Sequence, residues 1–227
     1  MLAWHFLAGD KRLGYGDGRL VEVGQTLECE GKPALCSNGM HGSVRLVDAL
    51  RYASGPIVCR VEIAGDIVES DDKLCGRRRT VLWMLDATRL LHEFACACAE
   101  DALALVEQPD ARSVTVIAAK RRWLRGEITD EELDAAEDAA WAAVGAAVGS
   151  AARSAAEAAA EAARSASWDA AWDEAWSAAQ DAAWDASRAA WDASLAVAWD
   201  AAQDAARDKQ TKRLTEMVMD AHEKESV

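Results

Sequence analysis

The sequence predicts an α+β protein. A small N-terminal domain with a mostly antiparallel sheet precedes a long Ala/Trp/Asp amphipathic helical region, a coiled-coil-like bundle. Three observations lead there. Over residues 1–126, short apolar runs alternate with polar positions and are separated by Gly- and Pro-bearing turns, the pattern of strands. From Ser165 to Asp208 the chain reads SASWDAAWDEAWSAAQDAAWDASRAAWDASLAVAWDAAQDAARD, without one Gly or Pro, and alanine is the best helix former. Charge is split as well: residues 1–126 carry 17 basic and 17 acidic side chains, so the whole net charge of −14 lies in 127–227. The expected domains are therefore 1–126 and 127–227, with a break near 145–149.

Taken in order, Leu2 to Leu7 reads as a first strand, ended by the turn-rich stretch from Gly9 to Gly18. Leu20 to Val23 reads as a second strand, and Gly31 to Gly42 as a loop. Ser43 is the expected N-cap of a helix VRLVDALRYA, whose apolar side is Val44, Val47 and Leu50, and Ser54-Gly55-Pro56 ends it. Ile57, Cys59, Val61 and Ile63 alternate with Arg60 and Glu62, marking a half-buried strand. Ile67-Val68 and Thr80 to Leu85 are further strands.

Asp86 is placed to cap a helix reaching about Glu107, with the apolar row Leu90, Leu91, Phe94, Cys98, Ala102 and Leu105. Ala111 to Arg125 is a shorter helix ending in a basic turn before Gly126, as the helix dipole prefers. Thr129 followed by Glu132 is a capping box that opens the acidic half. Gly145 and Gly149 interrupt that half once. Ser150 to Asp208 is then expected to form one rod, about 90 Å long at 1.5 Å per residue.

The rod carries Trp168, Trp172, Trp176, Trp184, Trp191 and Trp199. Trp176 to Trp191 and Trp184 to Trp199 are both intervals of fifteen residues, or four turns of 3.75. That period lines the rings along one face and favours a right-handed supercoil. Ala171, Ala175, Ala179, Ala182, Ala186, Ala190, Ala201 and Ala205 flank them, and aspartates take the other side. Burying six indoles is worth on the order of 20 kcal/mol at about 25 cal/mol per Å². Typical domains are stable by about 5–15 kcal/mol, so the face needs a covering surface. Two arrangements meet that need: a homo-oligomer through the C-terminal helix, with these tryptophans as its interface, or the chain folding back on itself.

Composition excludes several classes. The acidic half repels phosphates and anionic lipid, which argues against direct nucleic-acid binding and against a membrane surface. No apolar run approaches the roughly 20 residues of a membrane span, and MLAWHFL is too short for a signal-peptide core. Six unevenly spaced cysteines read as reduced thiols of a cytoplasmic protein.

Chemistry, where there is any, belongs to the first half. His5 lies in a strand between Trp4 and Phe6, and His41 follows a glycine turn. Converging on one cleft with Tyr52, they are candidate catalytic residues able to bind and orient a nucleotide or ribose. The run Arg77-Arg78-Arg79, with Lys73 before it, is a candidate clamp for phosphate or carboxylate; Lys73, Arg77 and Arg79 are its expected ligand-binding residues. Its bland alternative is a solvated turn balancing Glu69, Asp71 and Asp72. Cys29, Cys36 and His41 lack zinc-knuckle spacing and a fourth ligand, so no metal site is expected.

The motifs W-H-F (Trp4 to Phe6), C-x-x-G-x-H-x-S (Cys36 to Ser43), D-A-L-x-Y-A (Asp48 to Ala53) and D-D-K (Asp71 to Lys73) resemble a family of uncharacterised phage and prophage proteins. Members often trail Ala-rich (AAWDA) helical repeats. That resemblance implies a phage-type accessory protein in the host cytoplasm, with a host protein as a further partner, and brings no activity. The order of a W-H strand, a turn, a helix ending in Y-A and a V-x-V strand is also similar to the ADP-ribosyltransferase core. That likeness implies NAD as cofactor, with His5 and His41 in the NAD-holding places and Glu69 nearest to the glutamate's.

The leading expectation is thus an accessory protein that self-assembles through its Trp/Ala helix and binds a partner or small ligand, without a cofactor, through its first domain. An NAD-handling enzyme is the alternative. A second is an acidic decoy whose aspartates imitate nucleic-acid phosphates.

Overall fold

The computed structural model describes residues 1–14, 16–147, 150–163, 177–184 and 196–226. They form two compact units, one of Met1–Thr88 with Leu214–Val227, the other of Arg89–Arg213.

The first unit is built on strands. β1 (Leu2–Leu7), β4 (Ile57–Ala64), β7 (Arg78–Asp86) and β2 (Thr26–Glu28) make a four-stranded antiparallel sheet in the order β1-β4-β7-β2. A three-stranded antiparallel sheet has the order β3 (Met40–Gly42), β6 (Leu74–Gly76), β5 (Val68–Glu69). Paired bonds join the two: Trp4 N donates to Ser43 O at 2.8 Å and Ser43 N to Trp4 O at 2.9 Å. Gly42 makes this approach possible, because a Cβ there would stand 2.9 Å from Ile63 Cδ1 and 3.0 Å from Trp4 O.

Strand alternation sorts the side chains. Ala3 and Leu7 of β1, Ile57, Cys59, Val61 and Ile63 of β4, and Val81 of β7 gather with Leu27, Met40 and Leu74 in one buried cluster. On the opposite face the register aligns Trp4, Arg60 and Trp83 across three strands. Trp4 and Trp83 meet edge to face at 5.7 Å, the Arg60 guanidinium lies 4.4 Å over Trp4, and His222 stacks on Trp83 at 4.1 Å. Helix α1 (Leu46–Leu50) packs on β1 through buried Leu46, Val47 and Leu50.

Several expectations need correcting here. Leu20 to Val23 is not a strand: Leu20 makes a single bridge to Arg12, and the strand comes later, at Thr26–Glu28. The Gly31–Gly42 loop ends in β3, because its last three residues find a partner in β6. Ser43 does not cap α1, since its backbone is engaged with Trp4. The helix starts after Arg45, which makes no side-chain cap.

The second unit is helical. Asp86 Oδ1 accepts from Thr88 N (2.9 Å) and Thr88 Oγ1 (2.6 Å), opening α2 (Thr88–Leu103), which buries Leu91, Phe94, Cys98 and Ala102. α3 (Ala111–Leu124) is capped by the Asp110 carboxylate and followed by Gly126 at φ +73°. α4 (Asp130–Ala146) begins in the Thr129/Glu132 capping box, with both reciprocal bonds made. α5 (Ser150–Ala163), residues 177–184 (α6) and α7 (Ala196–Glu225) complete the helices described.

Helices α3, α4 and α5 pack on one another. Val116, Ile117 and Leu133 of α3 and α4 are buried there, and α5 contributes alanine: Ala155, Ala156, Ala158, Ala159, Ala160, Ala162 and Ala163 are almost fully covered. Gln210 Nε2 donates to Ala179 O at 2.8 Å across 31 residues. One straight helix would hold those residues about 46 Å apart, so the single rod expected from Ser150 to Asp208 is not formed. Small alanine side chains let backbones approach closely, and Ala178, Ala179, Ala182 and Ala183 are covered.

Of the expected interface tryptophans, Trp184 is 48% exposed, while Ala178, Ala179, Ala182 and Ala183 beside it are buried. Trp168, Trp172, Trp176, Trp191 and the side chain of Trp199 lie outside the described residues. No described helix is long and apolar enough to cross a membrane.

Candidate functional site

β1, β3 and β7 bring three predicted residues of the first unit together. His5 shares the inward parity of Ala3 and Leu7 and stands opposite Cys59 in the register. His41 is central in β3, and Arg79 follows the outward Arg78 on β7. Arg79 is only 3% exposed. Its Nη1 donates to His41 O at 2.9 Å, while its Nε has no hydrogen-bond partner among the described residues.

The electrostatics of this group are cationic. Burial pulls the Arg79 guanidinium down to about 10, although it remains charged at neutral pH. His5 is held well below the usual imidazole value, first by burial and then by the charges of Arg79 and His41. His41 is lowered too, mainly by burial, with Arg79 and Lys73 adding to it against a backbone bond at Gly39. Burial pushes the Cys59 thiol up to about 12, so it supplies no negative charge at neutral pH. The group combines a buried cation whose Nε has no partner among the described residues with two half-buried imidazoles, and the Asp17 carboxylate is the acidic charge acting on Arg79.

A second group lies on the surface around residue 72. Tyr52 Oη donates to Asp72 Oδ2 at 2.5 Å, Arg51 Nη1 reaches the same oxygen at 3.2 Å, and Ser70 Oγ donates to Asp72 Oδ1 at 3.2 Å. Lys73 Nζ lies 4.5 Å over the Tyr52 ring and donates to Cys36 Sγ at 2.9 Å. Cys36 N in turn donates to His41 Nε2 at 3.3 Å. His41 thus belongs to both groups.

The arginine run is divided in its burial. Arg77 is exposed, 3.9 Å from Asp66, and strand alternation turns Arg78 out and Arg79 in. The signal for this was present, since Arg79 has the parity of inward Val81. Glu69 is exposed on β5, and the charges acting on the two histidines are Arg79, Lys73 and His41, none of them a carboxylate. Cys36 is the partner of Lys73, a contact across 37 residues that no local pattern announces. All six cysteines are free thiols.

Residues 10–93 match a family described as a domain of unknown function (DUF7666). The match takes in Cys36, His41, Tyr52, Lys73 and Arg79, whereas His5 precedes it. No curated protein and no solved structure matches the chain.

Proposed function

We propose that the first unit binds a small anionic ligand, a phosphate or carboxylate, between His5, His41 and Arg79. The helical remainder then gathers copies of the chain, as a phage-type accessory protein in a host cytoplasm would need. The reading is carried by the Nε of Arg79, a buried donor without an acceptor among the described residues. Leaving such a group unmade costs about 1–3 kcal/mol, more for a charged one, and a ligand oxygen restores it. His5 and His41 beside it are half-buried.

Calorimetry with inorganic phosphate, pyrophosphate and NAD tests the ligand half. Heat from at least one, weakened tenfold or more in Arg79→Met with an unchanged circular dichroism spectrum, is the expected result. Silence from all three up to millimolar concentration overturns it. A response to NAD alone would turn the reading towards the nucleotide-handling alternative. Assembly through the Trp-bearing helices, in a coiled-coil-like arrangement, predicts a mass above the monomer in light scattering at micromolar concentration. A monomer mass removes that half of the proposal.

A further inference from the structure

The face of the main sheet opposite its buried cluster carries a row that anion binding at Arg79 does not use. Strand register sets Trp4, Arg60 and Trp83 side by side on β1, β4 and β7. The next row along that face, Phe6, Val58 and Leu85, is apolar and buried. Trp4 is covered as well, but Arg60 and Trp83 are only half-buried. The Arg60 guanidinium lies 4.4 Å over the Trp4 ring, and its Nη1 has no hydrogen-bond partner among the described residues. Burial lowers this guanidinium below its usual value, and no carboxylate among the described residues acts against that.

Trp83 already holds a ring. His222 stacks on it with centroids 4.1 Å apart and planes 12° from parallel, the way a nitrogen heterocycle lies on an indole. His222 ends a row on α7 whose earlier members, Leu214 and Val218, are fully buried at four-residue spacing. After it, residues 223–226 are exposed. Fraying of the last helical turn therefore lifts the imidazole from Trp83 while Leu214 and Val218 hold the rest in place. The segment also brings four carboxylates, Glu216, Asp220, Glu223 and Glu225, against Lys224, so an anion is opposed while it is seated. All these residues belong to the sheet unit.

We infer that Trp4, Arg60 and Trp83 form a second ligand site, a stacking platform for a nucleotide, and that His222 is its built-in plug. The base takes the place of the imidazole on Trp83, and a phosphate oxygen accepts from Arg60 Nη1. A flat ring alone leaves Arg60 unpaired, and a bare anion leaves the indole uncovered. With the plug seated the platform is open only part of the time, and apparent affinity falls by that fraction. The site shares no residue with His5, His41 and Arg79, and its fate is independent of theirs.

Calorimetry on the full chain with adenosine monophosphate, adenosine and inorganic phosphate tests the inference. His222→Ala should bind the monophosphate about tenfold more tightly than the unaltered chain does, and adenosine about tenfold more weakly than the monophosphate. In that background Arg60→Met removes about tenfold of the affinity, the share of a charge-assisted bond, whereas Arg79→Met leaves it unchanged. A second measurement needs no substitution: the monophosphate speeds amide hydrogen exchange in residues 221–225, and inorganic phosphate does not. No heat from the monophosphate in His222→Ala up to millimolar concentration overturns the site. Equal affinity with and without the imidazole, with exchange unchanged, overturns the plug. Loss of binding in Arg79→Met but not in Arg60→Met moves the nucleotide to the first site and overturns this one.

Discussion

The two units bury different things. The sheet unit closes over Arg79, with His5 and His41 half-buried, whereas the described part of the helical unit closes mostly over alanine, with Lys120, His92 and Gln210 among its few buried polar side chains. Alanine loses no side-chain entropy and contributes little area, so a helical core of this kind gains stability from close backbone approach repeated many times. A strand pair brings residues distant in sequence to one point, and that is where charges can be opposed and left unsatisfied.

The largest test of this contrast is steric. In Gly76→Ala the new Cβ would lie 2.8 Å from both Ala64 O and Ile63 Cγ2, one of them backbone. We expect a loss of about 2–3 kcal/mol by urea denaturation, felt in the sheet unit. A loss below about 0.5 kcal/mol would show that the β6 contact is looser than the geometry states.

Next is the acidic side of the helical unit. Asp181 is pushed up to about 6, mainly by burial and then by Glu157 and Glu161. An acid whose folded value is raised gives stability fully present below its unfolded value, near 4, and lost as pH rises through about 6. Asp181→Asn should thus raise stability at pH 8 by about 1–2 kcal/mol, allowing for the residue's partial exposure, and leave it unchanged at pH 4. Equal effects at both pH values in thermal melts would remove Asp181 from that role.

Thr129→Ala breaks the capping box and should cost about 1 kcal/mol, confined to the helical transition. If instead a single transition shifts, the two units unfold as one.

The smallest effect concerns the histidines. Both are lowered by folding, so their contribution is present above the unfolded value near 6.5 and fades as pH falls below it. An anion on Arg79 opposes this by favouring the charged imidazoles. Phosphate should therefore raise the melting temperature more at pH 5.5 than at pH 8, and the reverse order would break the link between the histidines and the site.

How much of this was legible in the chain depends on reach. β1, β4 and β7 span six to nine residues, enough alternation to show which face is buried. β2, β3 and β6 are three residues each, less than two full periods, and exist because a neighbour pairs with them. Leu20 to Val23 misled for the converse reason, an apolar alternation with no strand beside it. The capping box and the Asp86 cap are local hydrogen-bond patterns and could be read directly. Charge moves from neutral to acidic near residue 126, yet the compact units divide at Thr88, because α2 and α3 pack as helices whatever their charge.

By itself, then, the sequence determined the long elements: where strands alternate, where helices start and stop, and that the described stretches of the acidic half are mostly helical. Their signals repeat within a few residues, the range over which backbone geometry and capping act. Tertiary structure alone decided that Arg79 is buried without a full set of acceptors among the described residues, that Lys73 meets Cys36, and that Ala179 is covered by Gln210. Those contacts join residues 31 or more positions apart, or depend on every neighbour of a buried group, and no local period encodes such distances.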